Sequence, residues 1–197
     1  MSTCRAILLE VKRRVGDTVA SVPGEVDLMA HLNSALRMLW NYGGMINSSK
    51  LHTKQTFTGS GNEITFDGPP MKIVSVFDNT AKRLVLPINV VYDGYEMWNP
   101  SSPRYLVNGD SIELLPGDNY ASHDVSVLYI PEFTELTDRD ADIPFPSYLD
   151  QYVIDMTLSA LAGSLSVEAV NSAVQSGNAL TDYFRGGARY VTGTPPW

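Results

Sequence analysis

Over the first fifteen residues the apolar positions recur at intervals of three and four. Ile7, Leu8, Val11 and Val15 share one stripe between Cys4 and Val15, which predicts an amphipathic helix closed by Gly16 and Asp17. Beyond Val22-Pro23-Gly24 a second stripe runs through Met29, Leu32, Leu36, Leu39 and Trp40. Asp27 is placed to cap or charge its first turn, and the Gly43-Gly44 pair is expected to stop it. Two helices with a short connection predict an antiparallel hairpin over residues 1–50.

From about Gln55 to Pro131 the period changes to two, with Val, Ile, Thr, Tyr and Phe alternating with polar residues between turn signals. Gln55–Thr58 and Glu63–Phe66 flank Gly59-Ser60-Gly61-Asn62 and read as a hairpin, because glycine enters positive φ without steric cost. Met71–Asp78 and Arg83–Val90 follow, joined around Asn79. The clearest hairpin signal is Asn108-Gly109 between the strand-like runs on either side of it, from Tyr105 to Leu114. Asp124–Ile130 supplies a last strand, for six or seven in all, enough for a small sandwich or open barrel.

Helical periodicity returns after an acidic linker, Glu132 to Asp142, that closes with Ile143-Pro144-Phe145-Pro146. Ser147 is expected to cap, and Asp150 to complete a box-like start for, a helix carrying Leu149, Tyr152, Val153, Met156, Ala160 and Gly163. A fourth helix fits Val167 to about Phe184, with Ser166 as cap and Leu180 and Phe184 on its apolar face. The expected fold is therefore α+β: a four-helix bundle formed by the N- and C-terminal helical hairpins, with an inserted antiparallel β-sandwich or barrel-like domain. The divisions are 1–50, 51–135, 136–187 and an extended C-terminal arm, 188–197, whose Pro195-Pro196 cannot continue a helix.

Composition narrows the function. With 197 residues, 44% of them apolar, the chain can bury a proper core, and no run approaches the roughly 18 apolar residues of a membrane span, so a soluble, unexported protein is expected. The single cysteine, Cys4, forms no internal disulfide and no multi-cysteine zinc site, which fits a reducing cytoplasm. A formal charge of −8 disfavours binding to phosphate backbones, yet an acidic wall could line a passage through which DNA slides without sticking.

The search for chemistry returns no catalytic, cofactor-binding or metal-ligating residue, and the expectation is that the protein is not an enzyme. Asp138-Arg139-Asp140-Ala141-Asp142 starts like a calcium loop, but Ile143 stands where that loop needs glycine and Leu149 where it needs glutamate; it reads as a solvated linker. His31, His52 and His123 lie on separate elements without a ligand spacing, and Gly59-Ser60-Gly61 lacks the third glycine and the following helix of a dinucleotide fingerprint. Tyr92, Tyr95, Trp98 and Tyr105 could stack on sugars but read first as packing or a subunit contact. Tyr190, Pro195, Pro196 and Trp197 in the arm are candidates for partner docking, since aromatic anchors typify interface hot spots.

Several segments taken in order carry a resemblance. Leu114-Leu115-Pro116-Gly117, Asp124-Val125-Ser126-Val127-Leu128-Tyr129-Ile130, Leu136-Thr137-Asp138, Asp142-Ile143-Pro144 and Tyr148-Leu149-Asp150, with Leu32-Asn33-Ser34-Ala35-Leu36 and Trp40 upstream, resemble the head-to-tail adaptor (connector, tail tubular protein A-like) proteins of short-tailed bacteriophages. The resemblance implies a structural virion protein of the neck or tail, made in the host bacterial cytoplasm. It further implies a homo-dodecameric ring that docks on a portal protein, presents its other side to a nozzle or tail-tube protein, and lets DNA pass without specific binding and without a membrane. Its motifs are short, and the Tyr92–Pro103 stretch departs from the pattern. A head-completion stopper or tail-tube terminator would share the ring geometry. A carbohydrate- or receptor-binding module using the central aromatics is the reading from another class.

Overall fold

Helix α1 (Cys4–Gly16) buries the stripe on which its periodicity rests: Cys4, Ile7, Leu8, Val11 and Val15. Helix α2 (Glu25–Met45) buries Leu28, Leu32, Ala35, Leu36, Leu39 and Tyr42 in the same way. The computed structural model describes residues 2–16, 24–59, 61–88, 103–115, 120–164 and 178–185. The chain is mixed α+β and divides into two units, Met1–Lys50 with Phe133–Trp197, and Leu51–Glu132.

In the first unit, α3 (Asp150–Leu161) lies against both α1 and α2, whereas α1 and α2 touch each other little. The expected N-terminal hairpin is thus not closed by direct packing; Val153, Ile154, Met156 and Thr157 of α3 supply buried surface between its arms. Phe145, 1% exposed, sits among aromatic rings, with centroids 6.4 Å from Trp40, 6.0 Å from Tyr183 and 6.0 Å from Phe184. Tyr183 and Phe184 belong to α4 (Asn178–Arg185), the only described part of the helix expected over 167–184.

The helix ends correct three expectations. Gly43-Gly44 does not stop α2. The helix runs on to Met45 and ends where Asn47 takes φ 55°, with Asn47 N–H on the Gly44 carbonyl and Ser48 N–H on the Gly43 carbonyl. This paired closure needs one left-handed residue, and asparagine tolerates that geometry. At α3, Ser147 makes no cap and the box with Asp150 does not form: a 3₁₀ turn, Ser147–Leu149, leads in, and the Asp150 carboxylate accepts from the Ser2 hydroxyl instead. Gly163, expected on the buried face, lies past the end of α3 at φ +67°, and its N–H with that of Ser164 closes the helix on Ala160 and Ser159.

The second unit is one seven-stranded sheet: β1 (Thr53–Phe57), β2 (Glu63–Thr65), β3 (Pro70–Asp78), β4 (Arg83–Pro87), β5 (Arg104–Asn108), β6 (Ser111–Leu115) and β7 (Val125–Pro131), in the order β1-β7-β3-β4-β5-β6-β2. It curls into a nearly closed barrel around Ile64, Val76, Val85, Tyr105, Ile112, Tyr120, Val127 and their neighbours, and Phe57 meets Phe66 edge-on at 5.9 Å between the two sheet edges. Register shifts between Pro70 and Lys72 and between Ile73 and Ser75 bend β3, as bulges do.

Two strand expectations are also corrected. β1 and β2 do not pair with each other: Thr53–Phe57 runs along β7 and Glu63–Thr65 along β6, so Gly59 and Gly61, at φ +56° and +66°, carry the chain from one sheet edge to the other. The sheet is not wholly antiparallel either, because β4 and β5 pair in parallel through Leu86↔Arg104 and Pro87↔Tyr105. A parallel pair needs a crossover of about a dozen residues or more, which the chain between Pro87 and Arg104 provides. The β5–β6 hairpin forms as its Asn-Gly signal predicts, with Asn108 opposite Ser111. Its two loop residues are Gly109 and Asp110, and glycine stands first at φ +62°.

Candidate functional site

The densest polar chemistry of the β unit lies where β3 ends. Register places Asp78 opposite Arg83 on one side and Val125 on the other, so the turn after Asp78 and the segment entering β7 share one end of the sheet. Asp78 has no exposed surface. Its Oδ1 accepts from the backbone N–H of Thr80 at 3.1 Å and of Ala81 at 2.9 Å, and its Oδ2 lies 2.9 Å from His123 Nδ1 and 3.7 Å from Arg83 Nε. Burial is the largest single influence on this carboxyl and pushes its pKa up. The hydrogen bonds from Ala81, His123 and Thr80 and the His123 charge outweigh it and hold the pKa below the usual aspartate value.

Tyr120 completes the cluster. Its ring is fully buried and meets His123 edge-on at 5.5 Å. Burial, and then the Asp78 charge, raise its pKa, while Arg83 opposes them; among the described residues no atom reaches its hydroxyl with hydrogen-bond geometry, and none so reaches Arg83 Nε. Around this centre Asn79 N–H donates to the Asp124 carbonyl, Asp124 N–H to Thr80 Oγ1, and Asn79 Nδ2 to Ser126 Oγ, which also meets Thr56 Oγ1 at 2.9 Å.

A carboxylate that orients a histidine is half of a nucleophile-activating relay. The other half is not assembled: Ser126 Oγ is engaged by Asn79 and Thr56, and among the described residues no hydroxyl or thiol is bonded to His123. What the arrangement does is fasten the β3–β4 turn to the start of β7.

In the helical unit, polar contacts are spent on the segment between β7 and α3. The first N–H groups of a helix lack internal partners. In α1 the Cys4 N–H donates to the Ala141 carbonyl at 3.0 Å and the Arg5 N–H to the Arg139 carbonyl at 2.8 Å, while Ile143 N–H reaches Ser2 and Thr3 bridges Asp142. Asn33 on α2 grips the same segment twice: Nδ2 donates to the Leu136 carbonyl and Oδ1 accepts the Leu136 N–H, both at 2.9 Å. The Asp138–Asp142 stretch, read as a solvated linker, is in its backbone a clasp on α1. Its exposed side chains stay at the surface, where Arg5 pairs with Asp140.

No family model and no curated protein matches the chain. Its function therefore rests on its own residues.

Of the residues singled out in the sequence, Tyr105 is 6% exposed in the barrel core and offers no face to a sugar. Tyr92, Tyr95 and Trp98 lie outside the described residues, as do the docking candidates Tyr190, Pro195, Pro196 and Trp197. Cys4 is buried, and burial pushes its thiol pKa up, with the charges of Asp138 and Asp142 acting in the same direction. Among the described residues no group of histidine, cysteine and carboxylate side chains is placed to hold a metal ion, and no helix is long and apolar enough to cross a membrane. Sequence reasoning missed the Asp78–His123 pair. The available signal was Asp78-Asn79-Thr80, an Asx-turn sequence ending one strand, with His123 just ahead of another.

Proposed function

We propose that this chain is a structural virion protein, a head-to-tail adaptor whose copies form a dodecameric ring between the portal and the nozzle or tail tube of a short-tailed phage. On this reading the helices complete a four-helix bundle, residues 188–197 form an arm that docks on a partner, and DNA passes the ring without specific binding.

One observation carries the reading. The segments with the resemblance, from Leu114 to Asp150, are built as architecture: the end of β6, strand β7, a linker whose carbonyls hold the start of α1, and the entry to α3. Backbone groups of these segments fasten elements together, and the buried Asp78 carboxylate, paired with His123, secures a turn. The −8 charge suits a wall that repels phosphate. Electron microscopy of the purified protein mixed with its portal tests the proposal. Closed rings seated on the portal support it; a field of unattached single copies rejects it.

A further inference from the structure

The first helices of the chain are held by residues made much later. Because α1 and α2 touch each other little, the N-terminal part of the helical unit is not closed by its own contacts. Its closing contacts come from beyond the β unit. The start of α1 is fastened by backbone, with Cys4 N–H on Ala141, Arg5 N–H on Arg139 and Ile143 N–H on Ser2. Side chains add further ties: Ser2 to Asp150, Arg14 to Gln151 and Asp155, Asn33 to Leu136 and Arg37 to Glu135. These side-chain partners stand from 98 to 148 residues apart in the chain. Trp40 likewise meets Phe133, with ring centroids 6.1 Å apart.

The β unit differs in being contiguous. The chain passes between the two units only at Lys50–Leu51 and at Glu132–Phe133. Pairing of β1 with β7 sets Thr53 opposite Tyr129, so the folded β unit holds its own two ends side by side. With that unit unfolded, the same two ends are joined by a long flexible loop. Closing a loop costs entropy that grows with its length. Joining the ends at Thr53 and Tyr129 shortens the path from α2 to Phe133 or Leu136 about fourfold to fivefold, which favours closing by about tenfold. Within the β unit the β5–β6 hairpin is local and carries the Asn-Gly signal, so this unit can begin to fold without help from the helices.

We infer that β1–β7 pairing is the closing step for the helical unit: the β unit folds first, and by bringing its ends together it delivers residues 133–161 to α1 and α2. The coupling runs through the chain itself. It needs no contact between the two units, and it does not depend on the adaptor reading.

The test uses the full chain and has two parts. Pulse-labelling hydrogen exchange, read by mass spectrometry during refolding from urea, follows both units in one sample. Residues 53–57, 104–115 and 125–131 are expected to gain protection before 4–16, 25–45 and 150–161. Helices protected ahead of the strands, or in the same step with them, overturn the inference. The second part joins the ends covalently, with Lys54→Cys and Leu128→Cys, which face each other in the β1–β7 register, in a Cys4→Ser background. The oxidised and reduced forms of this one variant are compared, so the effects of the substitutions themselves cancel. The disulfide is expected to speed protection of the three helices by about tenfold. Helices that form equally fast in the two forms overturn the inference.

Discussion

Asp78 Oδ2 lies 2.9 Å from His123 Nδ1 across 45 residues of sequence, with Asp78 wholly buried. The carboxyl is held below the ordinary aspartate value in the folded chain, so the folded state takes up its proton less readily than the unfolded state. The stability it contributes is complete above about pH 4, the unfolded value, and is lost as pH falls through the lower folded value. Asp78→Asn is expected to cost about 3 kcal/mol at pH 7, because Arg83 and His123 lose their buried partner, and to flatten the acid side of the stability curve. Urea unfolding at pH 7 and pH 3 checks this; a variant with an unchanged acid slope contradicts it.

Asn33 holds both backbone groups of Leu136, and it is itself 8% exposed. Truncation to alanine leaves the part-buried N–H and carbonyl of Leu136 to find other partners. A loss of about 2 kcal/mol is expected in Asn33→Ala, read as a lower urea midpoint with unchanged slope.

Phe145 is the hub of the aromatic contacts in the helical unit. Phe145→Ala is expected to destabilise by about 3–5 kcal/mol through lost burial and a residual cavity, and Phe145→Leu by clearly less. Thermal melts of the two variants rank them.

Glu10 accepts from Arg13 at 2.7 Å and from Arg14 at 2.9 Å, and these hydrogen bonds push its pKa down to about 2. Arg14 also reaches Asp155 and Gln151 on α3. An NMR titration should place the Glu10 midpoint near that value and, in Arg14→Ala, higher; a Glu10 that titrates in the ordinary glutamate range contradicts the geometry.

How much of this was legible in the sequence follows from how local each signal is. The stripe Ile7, Leu8, Val11, Val15 and the Asn-Gly hairpin signal are written within a few residues, and the helix and the hairpin both formed, the latter with Gly109-Asp110 as its loop residues. The α+β class followed from the same local periodicities. Pairing of β1 with β7 and of β2 with β6 was not legible, because a strand's own residues do not name its distant partner and Gly59–Asn62 looked like a reason for β1 and β2 to meet. Gly43-Gly44 failed as a stop because burial of Tyr42 keeps the last turn helical until Asn47 can take a left-handed conformation. The Asp78–His123–Arg83–Tyr120 cluster was hidden for the same reason as the pairings: its members meet only after register brings Asp78 level with Val125.

The most direct test of the adaptor account is light scattering on a size-exclusion column. The full chain is run alone, then mixed with its portal, then mixed again after removal of residues 188–197. The account predicts a large closed species that appears with the portal and is lost or diminished without those residues. A chain that elutes as a monomer in all three runs, indifferent to the portal, would contradict it.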